Sequence, residues 1–209
     1  MKENYTVERI SYQSTKPFIL DIHYAKRMPS ISYAFGLHLD NDLVGVVTYG
    51  SPASPSLCKG VAGVKNKQNV IELNRLVLKN NVKNEASFLV SKSLKLLPKP
   101  KVIVSYADTK ENHVGYIYQA CNFYFTGTTK PRTDMAAKDG KHSRHCLGDR
   151  TKRVHRSAKH RYIYLIGDKK DKKKLKQDLK YPIINYPKGG LQWLQNNKYK
   201  LLLIGWLPM

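Results

Sequence analysis

The chain has 209 residues, of which 41% are hydrophobic, 10% aromatic and 25% charged; that is enough for one sizeable core and too little for two. Lys and Arg number 37 against 15 Asp and Glu, a formal net charge of +22 with a pI near 9.9, and a field of that sign draws a protein towards a polyanion, nucleic acid being the commonest. No run approaches the roughly 18 apolar residues of a spanning helix, "MKENYTVERISYQ" lacks the apolar region of a signal peptide, and Cys58, Cys121 and Cys146 are too few and too scattered for a disulfide framework; the expectation is a chain with no membrane partner in a reducing compartment.

Taken in order, "DIHYAKRMPS" gathers His23, Tyr24, Lys26 and Arg27 in one short segment. It reads either as an acid-base and base-stacking cluster or as a solvated helix face. "SYAFGLHL" and Leu43 to Tyr49 read as two strands of a hairpin around "DND", closed by Gly50, Pro52 and Pro55. "VIELNRLVLK" is a third strand whose polar residues Glu72, Asn74 and Arg75 break the alternation. An arginine in mid-strand needs a carboxylate or phosphate, or a structural pair with Glu72 or Asp108.

"NNVKNEASFLVSKSLKLLPK" has the apolar period of a helix through Phe88, Leu89, Leu94, Leu96 and Leu97, and Pro98 stops it. "KVIVSYAD" suits a central buried strand. It ends on Asp108, where open α/β sheets bind ligands; the alternative is that Asp108 caps the next turn. "NHVGYIYQACNF" reads as a short helix with Asn112 as N-cap and Val114, Ile117 and Cys121 on one face. Tyr116 and Tyr118 are two apart, so they point to different sides. "FYFTGTT" and "RYIYLIG" are further strands.

Between those two strands lies a long connection, and residues 130 to 180 hold 18 Lys and Arg against 6 Asp. Connections of this length are commonly functional. Within it, His142, His145 and Cys146, with His155 and His160 downstream, match no standard zinc spacing. They read better as part of a phosphate-contacting basic loop. Arg27, Lys141, Arg144, Arg150, Lys152, Arg153 and Arg156 are the candidate DNA contacts. The order of elements predicts one domain over 1–209: an α/β (α+β) fold with a mixed sheet flanked by helices. A basic DNA-contacting insertion at 130–160 precedes the last strand, and a docking segment spans 181–209.

"ELNRLVL", the helix after it and "VIVSYADTKENHVGYIYQACNFYFTG" together resemble the second half of a GNAT-type acyltransferase domain. More narrowly, "IHYAKRMP", "ELNRLVL", "SYAD", "GYIYQACNF" and "LKYPIINYPKG", in this order, are similar to the phage Mom family of DNA adenine-modification proteins. The resemblance implies a GNAT-like sheet whose acyl donor lies between two splayed strands, "ELNRLVL" and "VIVSYAD". It implies conversion of adenine to N6-carbamoylmethyladenine in double-stranded phage DNA, in the host cytoplasm, as a defence against restriction endonucleases. Carried over residue by residue, it points to His23, Tyr24, Arg75, Asp108 and Tyr118 as catalytic. On this reading Asp108 accepts a hydrogen bond from, or deprotonates, the attacking amine, and Tyr118 donates to the leaving group or the oxyanion. An acyl donor such as acetyl-CoA would lie along Leu76, Val77 and Leu78, with Lys79 and Lys83 near its phosphates, and the family is also linked to iron. One departure is visible. The glycine loop that cradles the donor's pyrophosphate in GNAT enzymes is replaced here by "LKNNVKNEASF", without a glycine.

The chemistry implied is demanding. Adenine N6 is a poor nucleophile and is buried in the duplex, so the base must be flipped out at a cost of a few kcal/mol. Two other classes fit parts of the sequence: an N-acetyltransferase acting on a protein or small amine, and a basic nucleic-acid-binding protein without enzymatic activity.

Overall fold

The computed structural model of the chain describes residues 4–135 and 153–187. In chain order these form β1 (Tyr5–Arg9), α1 (Tyr12–Pro17), a π turn (Phe18–Ile22), β2 (Tyr33–Leu39) and β3 (Asp42–Gly50). Then come α2 (Pro55–Asn66), β4 (Val70–Leu78), α3 (Glu85–Leu96), β5 (Lys101–Asp108), α4 (Tyr116–Ala120) and β6 (Tyr124–Thr128). The last elements are β7 (Arg132–Met135), β8 (Arg153–Arg156), β9 (Lys159–Ile166) and α5 (Lys169–Asp178). Seven strands make one mixed sheet in the order β1-β2-β3-β4-β5-β9-β6, and β7 and β8 form a separate two-stranded ribbon. All neighbours in the large sheet are antiparallel except β4 and β5. The predicted α/β architecture, with the insertion ahead of the last strand, is what the chain adopts.

Period-two alternation divides the apolar residues between the two faces of the sheet. On one face Phe35, Leu37, Tyr49, Leu73 and Ile103 pack beneath α3 and α4 through Leu89, Val90 and Leu94. On the other, Val70, Val102, Val104, Ile163 and Leu165 pack against Val61 and Ala62 of α2 and Leu175 of α5. A third cluster on this second face joins Phe18 and Ile19 to Val46 and Val77. No helix among the described residues is long and apolar enough to cross a membrane.

Several expectations shift in detail. The short helix begins at Tyr116 with Gly115 as its N-cap. Asn112, at φ +54°, instead closes the 3-10 turn Thr109–Glu111. Leu96 is 53% exposed, because the buried side of α3 runs through Ala86, Leu89, Val90, Ser93 and Leu94. Pro55 opens a helix rather than closing a strand, as proline is suited to do at the first helical position. That helix was not legible because Gly63, at φ +72°, breaks it one turn before its end.

Of the predicted insertion, residues 130–135 and 153–160 are described; Lys141, Arg144, Arg150 and Lys152, with His142, His145 and Cys146, lie outside the described residues. The start of the predicted docking segment does lie on the body. Ile184 bridges to Phe125, and the Tyr186 hydroxyl donates to the Phe123 carbonyl at 2.9 Å.

Candidate active site

β4 and β5 pair in parallel only over Val70–Glu72 against Val102–Val104. Beyond that they part, and the splayed pair implied by the resemblance is present. The tie at the fork is a side chain: the buried Ser105 hydroxyl donates to the Leu73 carbonyl at 2.9 Å. Such an opening leaves strand backbone and side chains facing a crevice at the carboxyl ends of both strands.

A bulge shapes the β4 side. Tyr49 pairs with Leu73 and Thr48 with Arg75, so Asn74 is the extra residue. Leu73 faces α3, while Arg75 faces the opposite side, as does Val77. This is why Glu72, Asn74 and Arg75 break the alternation in the sequence. The bulge also makes a clamp. Asn74 Nδ2 donates to the Ser30 carbonyl at 2.8 Å and its Oδ1 accepts from Thr48 Oγ1 at 2.6 Å. Arg75 donates to the carbonyls of Asn74 at 2.6 Å and Arg27 at 2.9 Å, and its Nε is buried without a hydrogen-bond partner. Residues 27–30 are thereby held against the sheet.

The segment leading into that loop carries His23 and Tyr24. Pro17 has no N–H to continue the α1 ladder, and the chain widens into the π turn, closed by His23 N–H donating to the Phe18 carbonyl at 3.0 Å. The His23 and Tyr24 rings stack at 4.4 Å, and His113 meets Tyr24 edge-on at 6.4 Å. Tyr24 is 61% exposed, so this aromatic surface is open. Burial, with Arg75 and His113 nearby, lowers the His23 pKa to about 4. Its Nδ1 accepts from Ala25 N–H at 3.0 Å. The neutral ring therefore carries its proton on Nε2 and presents a donor there. The Tyr24 phenol is raised by burial and by Asp108, and Arg75 opposes that shift.

Asp108 stands at the end of β5 on the same face as Tyr106. Its carboxylate contacts Lys159 Nζ and Ser157 Oγ closely and accepts Lys110 N–H at 3.0 Å. Although burial raises its pKa, the hydrogen bonds from Lys159, Ser157 and Lys110 outweigh this and the net shift is downward. This bears on the expectation that Asp108 accepts a hydrogen bond from, or deprotonates, the attacking amine. A carboxylate with three donors and a depressed pKa is a weak base, and the turn-capping alternative describes its geometry.

Tyr118 enters from α4, its ring between Phe123 and Tyr162 at 5.4 and 5.3 Å. Burial pushes its phenol up to about 12, opposed by a hydrogen-bonding interaction with Ser105, the residue at the fork. Tyr116 is half-buried one step away.

The structure thus places Tyr24, His23, Arg75 and Asp108 within electrostatic reach of one another, with Tyr118 packed on the α3 side of the sheet and coupled to Tyr24 and Glu72, and it adds two residues not singled out as site residues in the sequence. Glu72, at the last β4–β5 pair, acts electrostatically on Arg75, Tyr106 and Tyr118. His113 lies beside Tyr24. The broken alternation at 72–75 was the available signal for Glu72; for His113 there was none.

The cofactor residues fare differently. Val77 and Leu78 are buried in the two apolar layers and Lys79 Nζ lies 5.6 Å over the Phe18 ring. The end of α3 is filled by the chain itself. Glu85, 3% exposed, accepts the Tyr5 hydroxyl at 2.8 Å and Val82 N–H at 3.2 Å. A diphosphate brought there would meet a buried carboxylate, so the residues do not fit a coenzyme A pyrophosphate in that position. Among the described residues no group of three or more His, Cys, Asp or Glu is placed to hold a metal ion, so they supply no ligand set for iron.

Of the described DNA candidates, Arg153 and Arg156 lie on the β7–β8 ribbon. Asp134 bridges Arg132 and Arg156 at 3.2 and 3.4 Å. The ribbon's base is tied to the opening through Asp108 and through the Thr109 hydroxyl, which donates to the Ala158 carbonyl at 2.7 Å. Arg27 is half-buried in the clamped loop.

A family model described as the Mom protein family matches residues 4–188. The methylcarbamoylase mom of Escherichia phage Mu is 32% identical over 128 residues, 58% of this chain and 53% of that protein, so the match spans about half the relative's length. Among solved structures, an acetyltransferase of Bacillus subtilis in complex with CoA is similar with a TM-score of 0.47 at 11% identity, covering 78% of this chain and 99% of that one. NAA60 of Arabidopsis thaliana in complex with acetyl-CoA gives 0.49 at 11% identity, covering 78% and 98%.

Proposed function

The chain belongs to the Mom protein family, and from that premise we propose that it is a DNA-modifying transferase that converts adenine to N6-carbamoylmethyladenine in double-stranded phage DNA, shielding it from host restriction endonucleases. One observation carries this reading. His23, Tyr24 and Arg75, matched to the family's motifs, are electrostatically coupled beside the fork of β4 and β5, with an exposed aromatic surface next to them, which supports the reading.

The roles follow from the geometry. A flipped adenine stacks on Tyr24, whose ring is exposed and backed by His23. His23 Nε2–H and His113 hydrogen-bond the edge of the base. N6 becomes nucleophilic only as its proton leaves, and Glu72 is the carboxylate whose field already reaches the surrounding tyrosines and Arg75. Arg75 holds the loop and sets positive charge beside the reacting group. Tyr118, protonated at neutral pH, donates to the departing group. Asp108 positions the ribbon base rather than moving the proton. N6-carbamoylmethyladenine joins N6 to a methylene carbon, so one acyl transfer onto N6 does not form it; the donor presents a glycinamide-like unit at an activated methylene carbon, from which the leaving group departs as N6 attacks. With the α3 end filled by Glu85, no step is assigned to a coenzyme A diphosphate.

The test is expression of the wild type, Glu72→Gln and Tyr118→Phe in a bacterium, followed by mass spectrometry of nucleosides from total DNA. Wild type should yield the modified adenine and both variants should lose at least about tenfold, as removal of a general acid or base does. Unmodified adenine with the wild type would refute the reading.

A further inference from the structure

We propose that α5 is a track for the phosphate backbone of duplex DNA, on the sheet face that carries Glu72, Tyr106 and Asp108; this deepens the DNA reading above and rests on it. Six of its ten residues are lysines: Lys169, Lys170, Lys172, Lys173, Lys174 and Lys176. All six are exposed, and no ion pair joins any of them to a carboxylate among the described residues. The local aspartates are turned elsewhere. Asp168 and Asp171 accept each other's backbone N–H in a capping box, at 2.7 and 3.3 Å, and Asp178 accepts Asn66 Nδ2 at 2.8 Å.

Folding does not explain this charge. Leu175 is the one buried residue of the helix. Lysines three and four apart repel, and Lys169 and Lys170 sit in the first turn, the end where the helix dipole disfavours cations. A polyanion along the helix removes both penalties. At 100° per residue, Lys170 and Lys173 lie on the side away from Leu175 and Lys174 stands on the adjoining flank. The packed neighbour α2 contributes the exposed Lys59 and Lys65, and Lys67 follows it.

Placement supplies the second argument. α2 and α5 cover the sheet face that also carries Glu72, Tyr106 and Asp108. β9 ends beside the start of β5, at the pair Lys101–Ile166, and α5 begins there. After α5 the chain lays the Tyr181 ring on the Arg161 guanidinium, 3.3 Å from its centroid. Arg161 is the cross-strand partner of Tyr106. The lysines thus lie over this face beside the closed end of the β4–β5 pair, where Asp178 at the end of the helix meets Asn66 ahead of β4, and the segment after the helix reaches towards the open end. A helix about 15 Å long laid along a duplex spans about four phosphates of one strand.

The test compares the full chain with a K170Q/K173Q/K174Q triple variant and a triple Lys→Arg variant at the same positions. Binding to a labelled duplex of random sequence is followed by fluorescence anisotropy from about 50 to 200 mM salt. The glutamine variant should show a log–log salt slope shallower by about 2.7, at about 0.9 per lost phosphate contact, with its thermal midpoint unchanged or raised. The arginine variant should keep the wild-type slope. A glutamine variant with the wild-type slope overturns the track and leaves the DNA reading intact. Wild type that ignores duplex DNA but binds vesicles containing phosphatidylserine overturns both.

Discussion

Arg75, on β4, donates from Nη2 to the main-chain carbonyl of Arg27 at 2.9 Å. A guanidinium that reads as a site residue in the sequence thus also fastens the loop next to His23 and Tyr24. With Asn74 on the Ser30 carbonyl, two adjacent side chains fix the position of the aromatic surface relative to the fork.

Arg75→Ala should therefore loosen residues 23–32 before it unfolds the sheet. Hydrogen exchange should show faster exchange in that loop with β4 and β5 unchanged. Modification should fall by about a hundredfold, the scale of a misplaced substrate group. Arg75→Lys should restore little, because one ammonium cannot reproduce a planar fork on two carbonyls.

Asp108→Asn should destabilise the chain by about 1–2 kcal/mol near neutral pH, the range for hydrogen bonds to a charged group at a partly exposed site. The folded-state pKa is depressed. The contribution is thus fully present above the unfolded carboxylate pKa of about 3.9 and is lost as pH falls through the lower folded value. Denaturant curves of both proteins should converge in acid. Lower DNA affinity in the variant would report the ribbon's loss of its anchor.

His23 runs in the same sense at a higher pH, although in its case the fold prefers the neutral form. Its folded pKa of about 4 lies below the ordinary 6.5, so the unfolded chain binds the proton more readily. Stability falls as pH drops from about 6.5 to about 4 and then levels off. His23→Gln should flatten that part of the profile. An NMR titration should find the His23 midpoint near the lower value, and activity should lack a limb near pH 6.5 attributable to this ring.

Glu85→Ala removes a buried acceptor from the Tyr5 hydroxyl and Val82 N–H. A loss of about 1–3 kcal/mol is expected, and Tyr5→Phe alone should cost less. A double-mutant cycle should show that the two are coupled, since they share one bond.

Much of this was legible in the sequence, for physical reasons that differ by element. β5 announced itself because both its faces are buried, and the β2–β3 hairpin because its turn is polar. β1 was not found, since Tyr5–Arg9 has one apolar side and lies at the sheet edge. α5 was visible only as a lysine run, because a single leucine marks its inner side. Tyr24, Arg75 and Tyr118 stood out from the residues themselves, and the motif resemblance then joined them. The true environment of Asp108 depends on Ser157 and Lys159, some 50 positions away, and no local pattern reveals that. Glu72 is read to the side away from α3 by the alternation Ile71–Glu72–Leu73, but its place at the fork depends on its pairing with the distant Val104.

That bulge separates two properties that a strand usually keeps together. Partners on either side of Asn74 remain consecutive in β3, so a chain lacking this one residue would retain the same pairs and the same facing for Leu73 and Arg75. The clamp on Ser30 and Thr48 is an addition to a sheet already complete without it. An inserted residue at this point changes what lies above the sheet and leaves the sheet itself alone, which makes position 74 a place where recognition can be revised while the scaffold stays constant.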